Sequence, residues 1–183
     1  MKTEFYIKEL VKDKNVGAIT STSHPVVKKL IEKINFKNSE IIVEYGPGNG
    51  VITRILLDNM KPNAALYVFE TNENFIYDLS EIKDNRLFII NDDAENAKYV
   101  LKNRYKIERV DYIVSTIPFT LIDNNKRRRI INNSFILLKE KGRFITYQYS
   151  LLIFNLIKRQ FKSVQWKLVL LNLPPAFIIY GIK

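Results

Sequence analysis

Residues 41–56, IIVEYGPGNGVITRIL, constrain this chain more than any other stretch. An apolar, β-branched run reaches Glu44, passes through Gly46, Gly48 and Gly50, and opens into a helical pattern. Glycines between a strand and a helix let a ligand approach the backbone, and the first helical turn presents unpaired N–H groups. That is a nucleotide-binding turn. A dinucleotide fingerprint, G-x-G-x-x-G, needs its third glycine at position 51, where this chain has Val51, with Gly50 one residue earlier. Glu44 would repel a pyrophosphate but suits a cationic amino-acid end. The turn therefore points to S-adenosylmethionine rather than to NAD or ATP.

From residue 40 onward, short β-rich runs alternate with helical stretches, the pattern of a mostly parallel sheet covered on both faces. The sequence predicts strands over 40–45, 65–70, 87–90, 110–115 and 142–147. Helices are expected near 50–59, 73–82, 93–103 and 123–139, the last opened by Asp123 as N-cap. Two final runs, 161–171 and 176–182, flank the Pro174-Pro175 turn and read as antiparallel strands, completing a seven-stranded α/β sheet of Rossmann-like type. Ahead of it stand two predicted helices, 4–14 and 25–34, the second opened by Ser23 with proline in its first turn. The expected organisation is one domain over 1–183, with an N-terminal helical cap over 1–36 and a cofactor-binding core over 37–183.

The chain has 183 residues, 46% of them apolar, which suits a single globular core. It has no cysteine and one histidine, so a Cys/His metal cluster is not available and no metal is expected. The N-terminal stretch lacks the uninterrupted apolar run of a secretory signal, and a cytoplasmic location is expected. A formal net charge of +10 favours an anionic partner, either nucleic acid or an acidic lipid surface.

In open α/β sheets ligands sit beyond the carboxyl ends of the strands, so residues that end successive strands should converge. Glu70 ends the second strand and suits two ribose hydroxyls, with Thr71 and Asn72 near the adenine. Asp93 follows the third strand, where a carboxylate accepts from the adenine amino group beside small Ala94. Asp92 competes with it for this role or caps the next helix. Ser115, Thr116 and Ile117 follow the fourth strand, close to the reactive methyl. Any one of these carboxylates is more often a solvated loop residue or a helix cap; their order along the chain is what favours a site.

With E-x-G-x-G-x-G at Glu44–Gly50, the acidic strand end at Glu70 and Asp93-Ala94, the chain resembles the class I S-adenosylmethionine-dependent methyltransferases. Glu44–Gly50 and Val51-Ile-Thr53 are similar to the ribosomal RNA adenine dimethylases, which carry N-[LI]-P-[YF] after the fourth strand where this chain has Ser115-Thr-Ile-Pro-Phe119. Three other segments resemble the bacterial phospholipid N-methyltransferases, which make phosphatidylcholine from phosphatidylethanolamine. Val16-Gly-Ala-Ile19 with the Ser/Thr residues after it matches V-G-A-I-x-P-S-S, with Ser21 at the proline. Ser115-Thr-Ile-Pro118 matches S-G-L-P, with Thr116 at the glycine, and Asn172-Leu-Pro-Pro-Ala-Phe177 matches N-x-P-P-A-x. This resemblance implies an aminolipid substrate, a substrate-side segment at Ile19, Thr20 and Ser21, and peripheral attachment to the inner face of the membrane.

Two segments suit membrane contact. Residues 4–14 set Phe5, Ile7, Leu10 and Val11 among lysines, and 151–161, LLIFNLIKRQF, forms a second apolar-basic run; ordinary packing is the alternative for both. Lys126-Arg127-Arg128-Arg129 suits lipid phosphates or an RNA backbone, or is a solvated helix face. The expected chemistry is direct transfer of a sulfonium methyl to an amine nitrogen, with the protein supplying proximity and orientation. Tyr147 and Tyr149, with His24 behind them, are candidates to receive the amine proton, against the alternative of an aromatic rim and a helix-start residue. The rival functions are adenine methylation in RNA, methylation of a small amine or phenol, and a non-catalytic adaptor that keeps the cofactor fold.

Overall fold

β-branched runs flanked by helices give a parallel sheet, and here the central strands are buried on both faces while the last-paired edge strand is largely exposed. The computed structural model describes residues 24–170 and 175–183. Helix α1, His24–Ile31, leads into β1 (Ile41–Tyr45), α2 (Val51–Asn59), β2 (Ala65–Glu70), α3 (Glu73–Ser80) and β3 (Leu87–Asn91). Then follow α4 (Ala97–Tyr105), β4 (Val110–Ser115), α5 (Asn124–Leu137), β5 (Leu138–Gln148), α6 (Phe154–Gln160), β6 (Ser163–Val169) and β7 (Ala176–Ile182). The seven strands are ordered β3-β2-β1-β4-β5-β7-β6, with β7 antiparallel to both neighbours and every other pair parallel. The chain is thus an α/β, Rossmann-like class I methyltransferase fold, as the alternation of runs predicts.

Alternation along β1 divides the interior into two cores. Ile42 faces a core shared with Val26 and Leu30 of α1 and Leu56 of α2; Val43 and Tyr45 face a second, with Leu101 of α4 and Ile131 of α5. Burial of each of these large side chains contributes roughly 1.5–3 kcal/mol. The order in which strands are added to the sheet reverses between β1 and β4, which pair side by side and parallel, so the carboxyl ends of these strands open a crevice at the switch point.

Three boundaries differ from the sequence reading. The helix expected over 93–103 begins as a short 3-10 turn, Ala94–Asn96, because the Asp93 side chain caps that turn by accepting from the Glu95 N–H. β5 starts at Leu138, directly after α5; its pairing with β4 jumps from Val110↔Leu138 to Tyr112↔Arg143, so polar residues that read as a turn lie within an irregular strand. β6 is shorter than 161–171, since Phe161 turns inward to the core. Helix 4–14, the Ser23 cap, the Ile19–Ser21 segment and most of the 172–175 turn lie outside the described residues.

Candidate functional site

The crevice is lined by the glycine loop and by the residues that end β2, β3 and β4. Gly46, Gly48, Glu70, Thr71, Asn72, Asp92, Asp93, Ala94, Thr116 and Ile117 all border it, joined by Phe75, Leu121, Ile122 and Lys126. Gly46 has φ +68°, and a Cβ there would stand 3.1 Å from Cγ1 of Ile117, so a side chain would both strain the backbone and crowd the loop after β4.

Glu70 anchors this loop. One carboxylate oxygen accepts from the Gly48 N–H at 3.1 Å, and the other from the Thr71 and Asn72 N–H groups at 2.8 and 2.9 Å. Asn72 caps α3 by accepting from the Asn74 N–H. Asp92 accepts from the Asp93 N–H and from the Asn96 amide, and Asp93 pairs through its second oxygen with Lys126 Nζ at 2.5 Å. Asp92 is therefore bonded locally, while Asp93 is the one paired to a side chain across the crevice.

Glu44 sits beneath the loop, fully buried. Its Oε2 accepts from the Thr53 hydroxyl at 2.7 Å, and its Oε1 has no partner. Burial pushes its carboxyl up to about 8; the Thr53 bond opposes the shift and the charge of nearby Glu70 adds to it. An unmet buried acceptor below a left-handed glycine turn fits a cofactor with a cationic amino-acid end, and the bordering carboxylates fit its ribose and adenine. Glu44, Glu70 and Asp93 are the residues that would hold it.

Other sequence candidates fall elsewhere. Gly50, with φ +80°, caps α2, and a Cβ there would meet Ile82 and Leu79 at 3.0 Å, so it serves helix packing and does not border the crevice. Ser115 is buried, with an unpartnered hydroxyl, behind the crevice wall. Tyr147 and Tyr149 do not border the crevice either. Strand alternation turns Tyr147 into the α1 side of the core, and the two phenols bond to each other. His24 begins α1.

The residue between these tyrosines was missed by sequence reasoning. Gln148 donates to the Ile117 carbonyl at 2.8 Å and accepts from the Phe119 N–H at 3.2 Å, fastening the loop after β4. Its signal was positional: the strand-end residue between two outward-read aromatics. The basic run 126–129 also resolves differently from a phosphate-binding patch. Lys126 turns to Asp93, Arg129 pairs with Glu95, and buried Arg127 donates to the carbonyls of Phe119 and Ile122 at 2.9 and 2.7 Å. Arg128 alone is exposed with no ion pair among the described residues. Segment 151–161 likewise buries Ile153, Ile157 and Phe161, so its helix packs on the sheet and is not a free membrane helix.

Comparison with known proteins places this crevice. Residues 17–133 match the ribosomal RNA adenine dimethylase family model, a span that ends within α5 and includes β1–β4. The chain is 24% identical to the ornithine lipid N-methyltransferase of Singulisphaera acidiphila over 92% of its length and 90% of that protein. It is 23% identical to ribosomal RNA small subunit methyltransferase A of Ureaplasma parvum over 77% of its length, and spans 53% of that relative, about half. The magnesium protoporphyrin IX methyltransferase of Synechocystis, solved with bound S-adenosylmethionine, superposes with TM-score 0.66 at 13% identity over 86% of this chain and 76% of that one. The chain belongs to the ribosomal RNA adenine dimethylase family and is a class I methyltransferase that uses S-adenosylmethionine.

Proposed function

We propose that this enzyme methylates the amine headgroup of a membrane aminolipid. The observation that carries the reading is the loop after β4. Where the adenine dimethylases have N-[LI]-P-[YF], the amide is replaced by Thr116, whose hydroxyl donates to the Gly46 carbonyl at 2.6 Å. The aromatic is Phe119, fully buried and edge-on to Phe144 at 6.4 Å, so it offers no face for a base to stack on. The family match covers residues 17–133, whereas the lipid-modifying relative aligns over 92% of the chain.

S-adenosylmethionine, when bound, supplies the activated methyl group that the amine nitrogen accepts as the carbon–sulfur bond breaks. The protein's share is placement. Glu70 and Asp93 hold the nucleoside, and the Thr116–Pro118 backbone, braced by Gln148, borders the methyl position. A lipid ammonium has a lysine-like pKa of roughly 10, so about one molecule in a thousand is free amine at neutral pH. Apolar Leu121, Ile122 and Ile130 border the crevice and favour the neutral form by desolvation.

The test is transfer of radiolabelled methyl to anionic vesicles containing phosphatidylethanolamine or ornithine lipid, with unmodified ribosomal RNA in a parallel reaction. Label in the extracted lipid is expected. Label in RNA would establish the second reading, adenine methylation, which the family match favours.

A further inference from the structure

Large apolar side chains that stay exposed are concentrated on one edge of the molecule. Val51 follows the glycine loop, Leu121 follows β4, Leu152 follows β5, Leu168 lies near the end of β6 and Leu170 just after it; all five stand at the carboxyl edge of the parallel strands, the edge on which the crevice opens, and Leu121 itself borders the crevice. Trp166, on the same strand as Leu168 and two residues before it, is 47% exposed and packs its ring against Phe177 at 5.7 Å. Tyr77 and Tyr99 are the other exposed large side chains among the described residues, and they lie on α3 and α4.

Register ties this rim to the reaction loop. Gln148 pairs with Phe177, which pairs with Leu168. Leu168 therefore lies two strand spacings, about 10 Å, from the residue that braces Ile117. From β1 to β6 the rim extends over four spacings, about 19 Å.

We infer that this apolar rim is the face with which the enzyme sits on an anionic bilayer, the crevice mouth turned to the headgroups. The inference rests on the aminolipid reading and adds the surface through which the substrate arrives. A bilayer is the occupant that fits. The leucines are strung along the edge on which the crevice opens, from Leu121 beside it to Leu168 and Leu170 on the far strand, so a broad, deformable plane can touch them all without sealing the opening that an acceptor must enter. Exposed leucine at the edge with a half-exposed tryptophan about 7 Å behind it on the same strand matches the apolar and headgroup levels of a bilayer, while RNA would need cations in those places. The net charge of +10 draws the protein to an acidic surface from a distance; Arg54 on α2 and Lys28 on α1 are exposed without an ion pair among the described residues.

Trp166 is the sole tryptophan, so the full chain carries its own probe. With vesicles of phosphatidylglycerol and phosphatidylethanolamine, its emission is expected to shift to the blue and to be quenched by brominated acyl chains. Vesicles of phosphatidylcholine alone should give a much smaller change. The triple variant Leu152→Ser, Leu168→Ser, Leu170→Ser is expected to lose at least tenfold in vesicle partition, while S-adenosylmethionine affinity stays within twofold. Should that variant fail to fold, Leu170→Glu alone carries the test, since Leu170 is 70% exposed. Unchanged partition in the variants, an unresponsive Trp166, or binding lost equally by a self-associated dimer through the same leucines would overturn the inference. Methyl transfer to aminolipid in detergent micelles separates the two readings. Label there with no vesicle effect sinks the rim alone; rim-dependent vesicle binding with no lipid label sinks the aminolipid reading.

Discussion

The two sides of the crevice are held together in opposite ways. On the β2–β3 side, polar groups are matched one to another: Glu70 takes three backbone N–H groups, Asp92 takes two donors, and Asp93 takes a backbone N–H and Lys126. On the β5–β6 side the strands contribute to the loop through the Gln148 amide, with Thr116 and Arg127 tying the same loop to Gly46 and to α5, and beyond Gln148 the edge is exposed leucine. A preformed polar network suits one invariant small molecule, because its donors and acceptors are in place before binding. An apolar edge tolerates varied acyl chains, since burial of hydrocarbon is not directional.

The largest break in this comparison is expected from Glu70→Ala. It removes a ribose acceptor and leaves three N–H groups of the loop without their carboxylate, so cofactor affinity should fall about 100-fold, or about 2.7 kcal/mol. Calorimetry reads it; unchanged affinity would remove Glu70 from the site.

Glu44 gives the next largest effect. In the cofactor-free protein its carboxyl stays protonated up to about pH 8, and a cationic ligand beside it favours the ionised form, so binding should release a proton. Affinity then rises with pH, by up to about tenfold per unit below about 8. Calorimetry in buffers of different ionisation enthalpy detects the proton, and Glu44→Gln should abolish its release. For the cofactor-free fold the sign is reversed. The carboxyl ionises near 4.5 when unfolded and near 8 when folded, so its contribution is complete below about 4.5 and is lost as pH rises toward 8.

Gln148→Leu tests the sparse side. Without its two bonds the loop after β4 is left to Thr116 and Arg127, its centre at Ile117 is less firmly placed, and methyl transfer should drop about tenfold with cofactor affinity nearly unchanged, since misplacement by about 1 Å costs rate. A parallel fall in both would place Gln148 within cofactor binding. Smallest of all is Tyr149→Phe: its phenol is bonded to Tyr147 away from the crevice, so turnover should stay within about twofold. A loss beyond tenfold, with a changed pH–rate profile, would return the tyrosine pair to proton transfer.

Much of the polar side was legible from residue order, because a strand-end carboxylate in a parallel sheet has only one edge to face. Glu70 and Asp93 followed from that rule, and the glycines at 46 and 48 from the turn between a strand and a helix; all four border the crevice. Gln148 did not: which residue of Tyr147-Gln148-Tyr149 meets the loop depends on strand register, and a shift of one residue exchanges faces. Arg127 was likewise hidden in a run of four cations until α5 docked and buried it against the Phe119 and Ile122 carbonyls.

The sequence by itself determined the strand–helix alternation, the left-handed glycine turn and the acidic strand ends, because these depend on local backbone preference and on the period of apolar residues. Tertiary structure alone decided that burial raises the Glu44 carboxyl to about 8, that Phe119 is withdrawn from the crevice, and that five exposed apolar side chains share one edge. Charge state, access and surface grouping depend on neighbours brought together from distant parts of the chain, and no local pattern encodes them.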